Sequence, residues 1–114
     1  MTLPPLPSKI WSPLGPIPVK LVDGLTAADD GCRLYGRYNH EQRVIELDTA
    51  PALLVQWQTL HHEWLHSVLH DHGFELGPFE EPVIETVATA LIALWLSGAV
   101  PPVASAAAPP KMRS

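Results

Sequence analysis

Residues 52–73, ALLVQWQTLHHEWLHSVLHDHG, govern how the rest of the chain reads. Leu53, Trp57, Leu60, Trp64 and Val68 recur every three or four positions, the period of one face of an α-helix, so the stretch predicts a helix with that stripe buried. Trp57 and Trp64 belong to the stripe and read as core. Thr49 is a candidate cap for the helix start, Pro51 suits a first turn where a missing N–H does no harm, and Gly73 suits the end. Mid-helix stands one HExxH: His62, Glu63, Trp64, Leu65, His66. Residues four apart on a helix share a face, so two imidazoles can close on one ion. Glu63, next to the first of them, is placed to accept a proton from a water activated there. The motif therefore predicts Zn2+ as cofactor, His62 and His66 as ligands and Glu63 as general base, the equipment of a zinc-dependent hydrolase. The competing reading is a histidine-rich solvated face of an amphipathic helix.

A catalytic zinc takes three protein ligands and keeps one position open. Glu85 is the first candidate for the third, 19 positions after His66 and near the spacing at which gluzincin peptidases supply a glutamate. It stands beside Ala88 and Ile92 in a stretch suited to burial, where an unpaired carboxylate is costly. Glu81, one turn earlier on the same face, is the alternate, and the acid that does not bind metal can hydrogen-bond a ligand histidine. Helix-dipole complementarity alone accounts for Glu80 and Glu81. His72 is the other alternate. It falls ten positions after His62, like the last histidine of the metzincin pattern HExxHxxGxxH and of the HxxxHxxxxxH pattern of an rRNA-maturing endoribonuclease family. Leu69 occupies the glycine position that would let the chain turn back, and without that break the three histidines span about 15 Å of helix. His70 continues the stripe a turn too far and suits a solvated or substrate-facing role. His61 and His40 read as surface residues.

Outward from the helix, residues 17–25 carry the β-branched content of a strand, and TAADDG reads as a turn. CRLYGRYN and RVIELD form a hairpin around His40, Glu41 and Gln42, with Asn39 suited to a tight turn. In the second of these strands Val44, Glu46 and Asp48 share one side, Ile45 and Leu47 the other. After the helix, Pro82 to about Ser97 is almost entirely apolar and predicts a backing helix buried on most sides, with Ala88, Ala90 and Ala93 permitting close approach. The expectation is an α+β fold: a three-stranded antiparallel sheet, then the motif helix, then the backing helix.

At 114 residues the chain fits one domain, here expected over 9–100. The 13 prolines gather at the ends, so 1–8 reads as a mobile Pro-rich segment and 101–114 as a disordered tail. A net charge of −5 argues against a nucleic-acid partner. Cys32 is the single cysteine, so no intrachain disulfide forms. The N-terminus lacks a secretion-signal pattern, and residues 86–100 are too short to span a bilayer, so no membrane partner and a cytoplasmic location are expected.

Three stretches, GRYNHEQRVIELD, LHHEWLHSVLHDHG and EEPVIETVATAL, together resemble the small HExxH metallopeptidase-like proteins common in phage and actinobacterial genomes. The resemblance covers 37–96, about half the chain. It implies a minimal, gluzincin-like zincin with a curved sheet, an HExxH helix and a backing helix whose acids fall on Glu81 and Glu85. It further implies zinc held by His62, His66 and an acid, Glu63 as the catalytic residue, and a peptide or protein substrate. The wider group of repressor-cleaving phage and mobile-element peptidases is similar, although no helix-turn-helix is present here. Two other functions stay open at this level: a metal-stabilised interaction module that does not cleave its partner, and a metal-dependent endoribonuclease suggested by His72 alone.

Overall fold

The computed structural model describes residues 3–98, and the tail expected over 101–114 lies outside them. The α+β class is observed, with a sheet that differs from the expected meander. Four strands, β1 (Lys9–Ser12), β2 (Gly15–Val22), β3 (Gly36–Asn39) and β4 (Val44–Asp48), lie in the order β1-β2-β4-β3. β1 pairs antiparallel with β2 and β3 antiparallel with β4, while β2 and β4 run parallel, Val19 opposite Ile45 and Val22 opposite Asp48.

The added strand was hidden by proline. Pro16 and Pro18 sit opposite Trp11 and Lys9, yet neither breaks the ladder. Val19 N–H bonds Ser8 O at 2.9 Å, so the N–H groups of odd positions face β1. Those of 16 and 18 would face the other edge, where β4 begins to pair only at Val19. Proline is tolerated where the ladder asks for no donor.

Residues 3–8, expected within a mobile N-terminal segment, make contacts with the core. Leu3 and Leu6 pack against the core, and the Trp57 indole donates to Pro4 O at 2.9 Å. A large aromatic surface with a buried N–H needs both cover and an acceptor, and this proline-rich stretch supplies them. Trp64 likewise donates to Trp11 O.

Helix α1 (Leu53–Asp71) carries the motif. Thr49 does not cap it: the residue before the helix is Ala52, without a side-chain cap, and Thr49 bonds Asp23 instead. The other end is as the glycine predicts. Gly73 has φ +72°, Phe74 N–H bonds Leu69 O at 3.0 Å and Gly73 N–H bonds His70 O at 3.1 Å, which closes the last turn and reverses the chain. A 3₁₀ turn (Gly77–Phe79) leads into helix α2 (Glu80–Leu96). One core joins both helices to one side of the sheet: Ile10, Ile17, Val19, Ile45 and Leu47 below, Trp57, Leu60, Ile92 and Trp95 above. The Trp57 and Trp95 rings meet edge to face, centroids 5.0 Å apart.

α2 is not buried on most sides. Ile84, Ala88, Ile92 and Trp95 face inward, while Val83, Val87, Leu94 and Leu96 are exposed. Only one layer, α1 and the sheet, is available to cover it among the described residues, so one stripe is buried whatever the composition of the rest. Asp48, on the side of its strand shared with Val44 and Glu46, is buried. It accepts from Arg33 at 2.6 Å and from the main-chain N–H groups of Gly24 and Leu25, which pins the 23–35 loop to the sheet. Among the described residues no helix is long and apolar enough to cross a membrane.

Candidate metal centre

His62 and His66 lie one turn apart in the middle of α1, and the helix hairpin brings the start of α2 against them. The pairing is antiparallel: His66 meets Glu80, His62 meets Glu85, and Trp57 meets Trp95 further along. Helical geometry places 80, 81 and 85 within roughly 140° of one another around α2, so three acids can face one pair of rings.

They divide the work. The Nε2 atoms of His62 and His66 are 3.2 Å apart. Glu81 lies across both, with one carboxylate oxygen 2.7 Å from His66 Nε2 and the other 3.0 Å from His62 Nε2. Glu85 Oε2 sits on the opposite side of the His62 ring, 3.1 Å from Nδ1, and Glu80 Oε2 is 2.9 Å from His66 Nδ1. A carboxylate can only accept, and both nitrogens of each ring face one, Nδ1 toward Glu85 or Glu80 and Nε2 toward Glu81. With the protons on Nδ1, two Nε2 lone pairs and a carboxylate converge on one point, an arrangement that repels itself unless a cation stands among them. Donors bound to a tetrahedral zinc are roughly 3.3 Å from one another. The ligating atoms of His62, His66 and Glu81 all fall within 4.8 Å, so this cluster could hold a metal ion.

Of the candidates for a third ligand, Glu81, the alternate, lies against both Nε2 atoms, and Glu85, the first candidate, lies against His62 Nδ1. Axial offset between the helices decides this, and no spacing rule along one strand of sequence contains it. Glu80 was assigned only to the helix dipole; its grip on His66 emerges from the hairpin, and the run of two acids before Pro82 was the available signal. His72 does not join the cluster: its Nδ1 contacts Val68 O at 2.9 Å in the last turn of α1. His61 is buried, not on the surface, with Nδ1 2.8 Å from Trp57 O, and burial pushes its pKa down, which keeps the ring neutral.

Glu63 stands beside the cluster. Burial pushes its carboxyl upward, the His62 and His66 rings pull it back, Glu81 raises it again, and the Tyr38 main-chain N–H lowers it. A carboxyl raised in this way is a better proton acceptor once ionised. Two grooves meet at this residue. One, of about 280 Å³, is lined by Tyr35, Gly36, Val55, Thr59 and Ala88 among others. The second, of about 540 Å³, runs past Tyr38, His66, Glu80 and Glu81 to His40 and His70. Gly36, His62 and Glu63 line both. The glycine is needed there, because a Cβ would lie 2.6 Å from Thr59 Cγ2 and 3.0 Å from Glu46 O.

No protein-family model, curated protein or solved structure matches this chain.

Proposed function

We propose that the chain is a zinc-dependent metallopeptidase of minimal zincin-like design. The observation that carries the reading is the convergence, among the described residues, of three and not four protein donors beside a partly buried carboxyl at the junction of two grooves. Structural zinc sites are closed by four protein ligands, whereas catalytic ones keep a position for water or substrate. A zinc ion held by His62, His66 and Glu81 would polarise a carbonyl oxygen and acidify water near it. Glu63 takes the proton released by the attacking water and returns it to the departing amine. Glu85 and Glu80 hold the two imidazoles in the tautomer that presents Nε2, and so fix ring orientation. β3 is an edge strand, and its residues Gly36 and Tyr38 line the grooves, so an extended peptide has main-chain groups to pair with on its way past Glu63.

The test is direct. Purified full-length protein should hold one zinc per chain and cleave an unfolded protein substrate. Glu63→Gln should retain the zinc and lose at least about 10³-fold in rate, on the order of 4 kcal/mol of barrier. Absence of zinc from the zinc-treated protein, or undiminished cleavage by Glu63→Gln, overturns the proposal.

A further inference from the structure

The groove that passes Glu80 and Glu81 ends at a second pair of imidazoles. His40, in the turn after β3, and His70, in the last turn of α1, face each other with ring centroids 4.6 Å apart and planes inclined by 36°. The pair His62 and His66, whose Nε2 atoms converge, has its centroids 4.9 Å apart. Two imidazoles bonded to one ion at about 2.1 Å each bring their ring centres to about 4.5–5.5 Å. Both pairs satisfy that spacing.

What differs is their surroundings. His62 and His66 are gripped by three acids, whereas among the described residues neither the His40 nor the His70 side chain has a hydrogen bond or an ion pair, and the other ring contact is the edge of Tyr38, 6.5 Å from the His70 ring. Both rings are exposed and both line the same groove as His66 and Glu80. Two tilted imidazoles with uncommitted nitrogens gain little from each other in water. They gain much from a cation that imidazole prefers.

We infer that His40 and His70 form a second, weaker site for a late first-row divalent ion such as Zn2+. Imidazole nitrogen selects zinc, nickel and copper over magnesium and calcium. Two protein donors make the site weaker than the three at His62, His66 and Glu81, and solvent completes the coordination. An ion there ties the β3–β4 turn to the end of α1. The inference does not depend on the peptidase reading, because the two sites share no ligand.

Calorimetric titration of the metal-free full-length protein with Zn2+ tests it. Wild type should take up two equivalents, the second at least about 10²-fold weaker than the first. His40→Ala and His70→Ala should each keep the tight equivalent and lose the weak one, with His72→Ala retaining both. The His62→Ala/His66→Ala double variant should show the converse, losing the tight equivalent and keeping the weak. In wild type, the imidazole NMR signals of His40 and His70 should shift with the weak equivalent. A single equivalent in wild type, matched by the tight site, overturns the inference. So does a second equivalent that survives both His40→Ala and His70→Ala. Absence of the tight equivalent from wild type, with the weak one present, counts against the peptidase proposal and leaves this one standing.

Discussion

Helix α1 and helix α2 lie side by side, and the one whose sequence is richer in apolar residues is the one left more exposed. α1 is amphipathic: Trp57 and Leu60 go into the core, Leu53 and Trp64 pack around it, and His62, Glu63 and His66 occupy the adjoining arc. It is covered on one flank by the sheet and on another by α2. Among the described residues α2 has a neighbour on one side only, so Ile84, Ala88, Ile92 and Trp95 are buried while Val83, Val87, Leu94 and Leu96 are not. Burial is decided by how many neighbours surround a helix, and composition only sets what the exposure costs. The acids at the head of α2 follow the same logic. They are partly or largely exposed, yet each reaches a ring on α1.

The sharpest way to break this contrast is Trp95→Ala. Its ring meets Trp57 edge to face under α2, so its loss should cost about 3–5 kcal/mol in chemical denaturation. A cost below about 1 kcal/mol would mean that α2 is not seated through this contact.

Gly36→Ala tests the tightness of the α1 side. The new methyl would meet Thr59 Cγ2 and the Glu46 carbonyl, and the side chain can rotate where the carbonyl cannot. A loss of about 1–3 kcal/mol is expected, together with weaker zinc binding as β3 is pushed from the helix that carries His62. Wild-type stability in this variant would show that the approach of β3 to α1 is looser than drawn here.

Asp48 provides a reference outside both helices. The Arg33 guanidinium holds its carboxyl below the usual range against the opposing effect of burial, with the Leu25 and Gly24 N–H groups adding to the hold. A carboxyl depressed on folding stabilises the protein above its unfolded pKa of about 3.9, and the benefit is lost as pH falls through the folded value. Asp48→Asn should therefore melt below wild type at pH 7, and the gap between their melting temperatures should narrow as the pH is lowered below 4. An equal gap at both pH values would assign the effect to packing and not to charge.

The smallest effect belongs to the outer face of α2. Val87→Lys should change stability by no more than about 0.5 kcal/mol, because the residue is already 39% exposed and lysine is a better helix former than valine. A large loss would show that this face is covered in solution.

A good part of the centre was legible in the chain. HExxH on a helix of period 3.6 requires His62 and His66 to share a face with Glu63 beside them, and the reversal at Gly73 followed from its position after the last periodic residue. The strand at Lys9–Ser12 was not legible, because proline reads as a breaker unless the ladder is known to need no donor at that edge. The parallel pairing of β2 with β4 was equally hidden, since it joins segments more than twenty residues apart with β3 inserted on the far side.

The choice between Glu81 and Glu85 shows where the division falls. Local sequence determined the elements and the chemistry each could offer: two imidazoles one turn apart, a carboxyl next to the first, and three acids within one arc of the following helix. Tertiary structure alone decided which acid meets Nε2 and which meets Nδ1. The reason is that rotation and sliding of α2 against α1 are set by the packing of Ile84, Ala88, Ile92 and Trp95, and a shift of one turn, about 5.4 Å, would exchange the two roles.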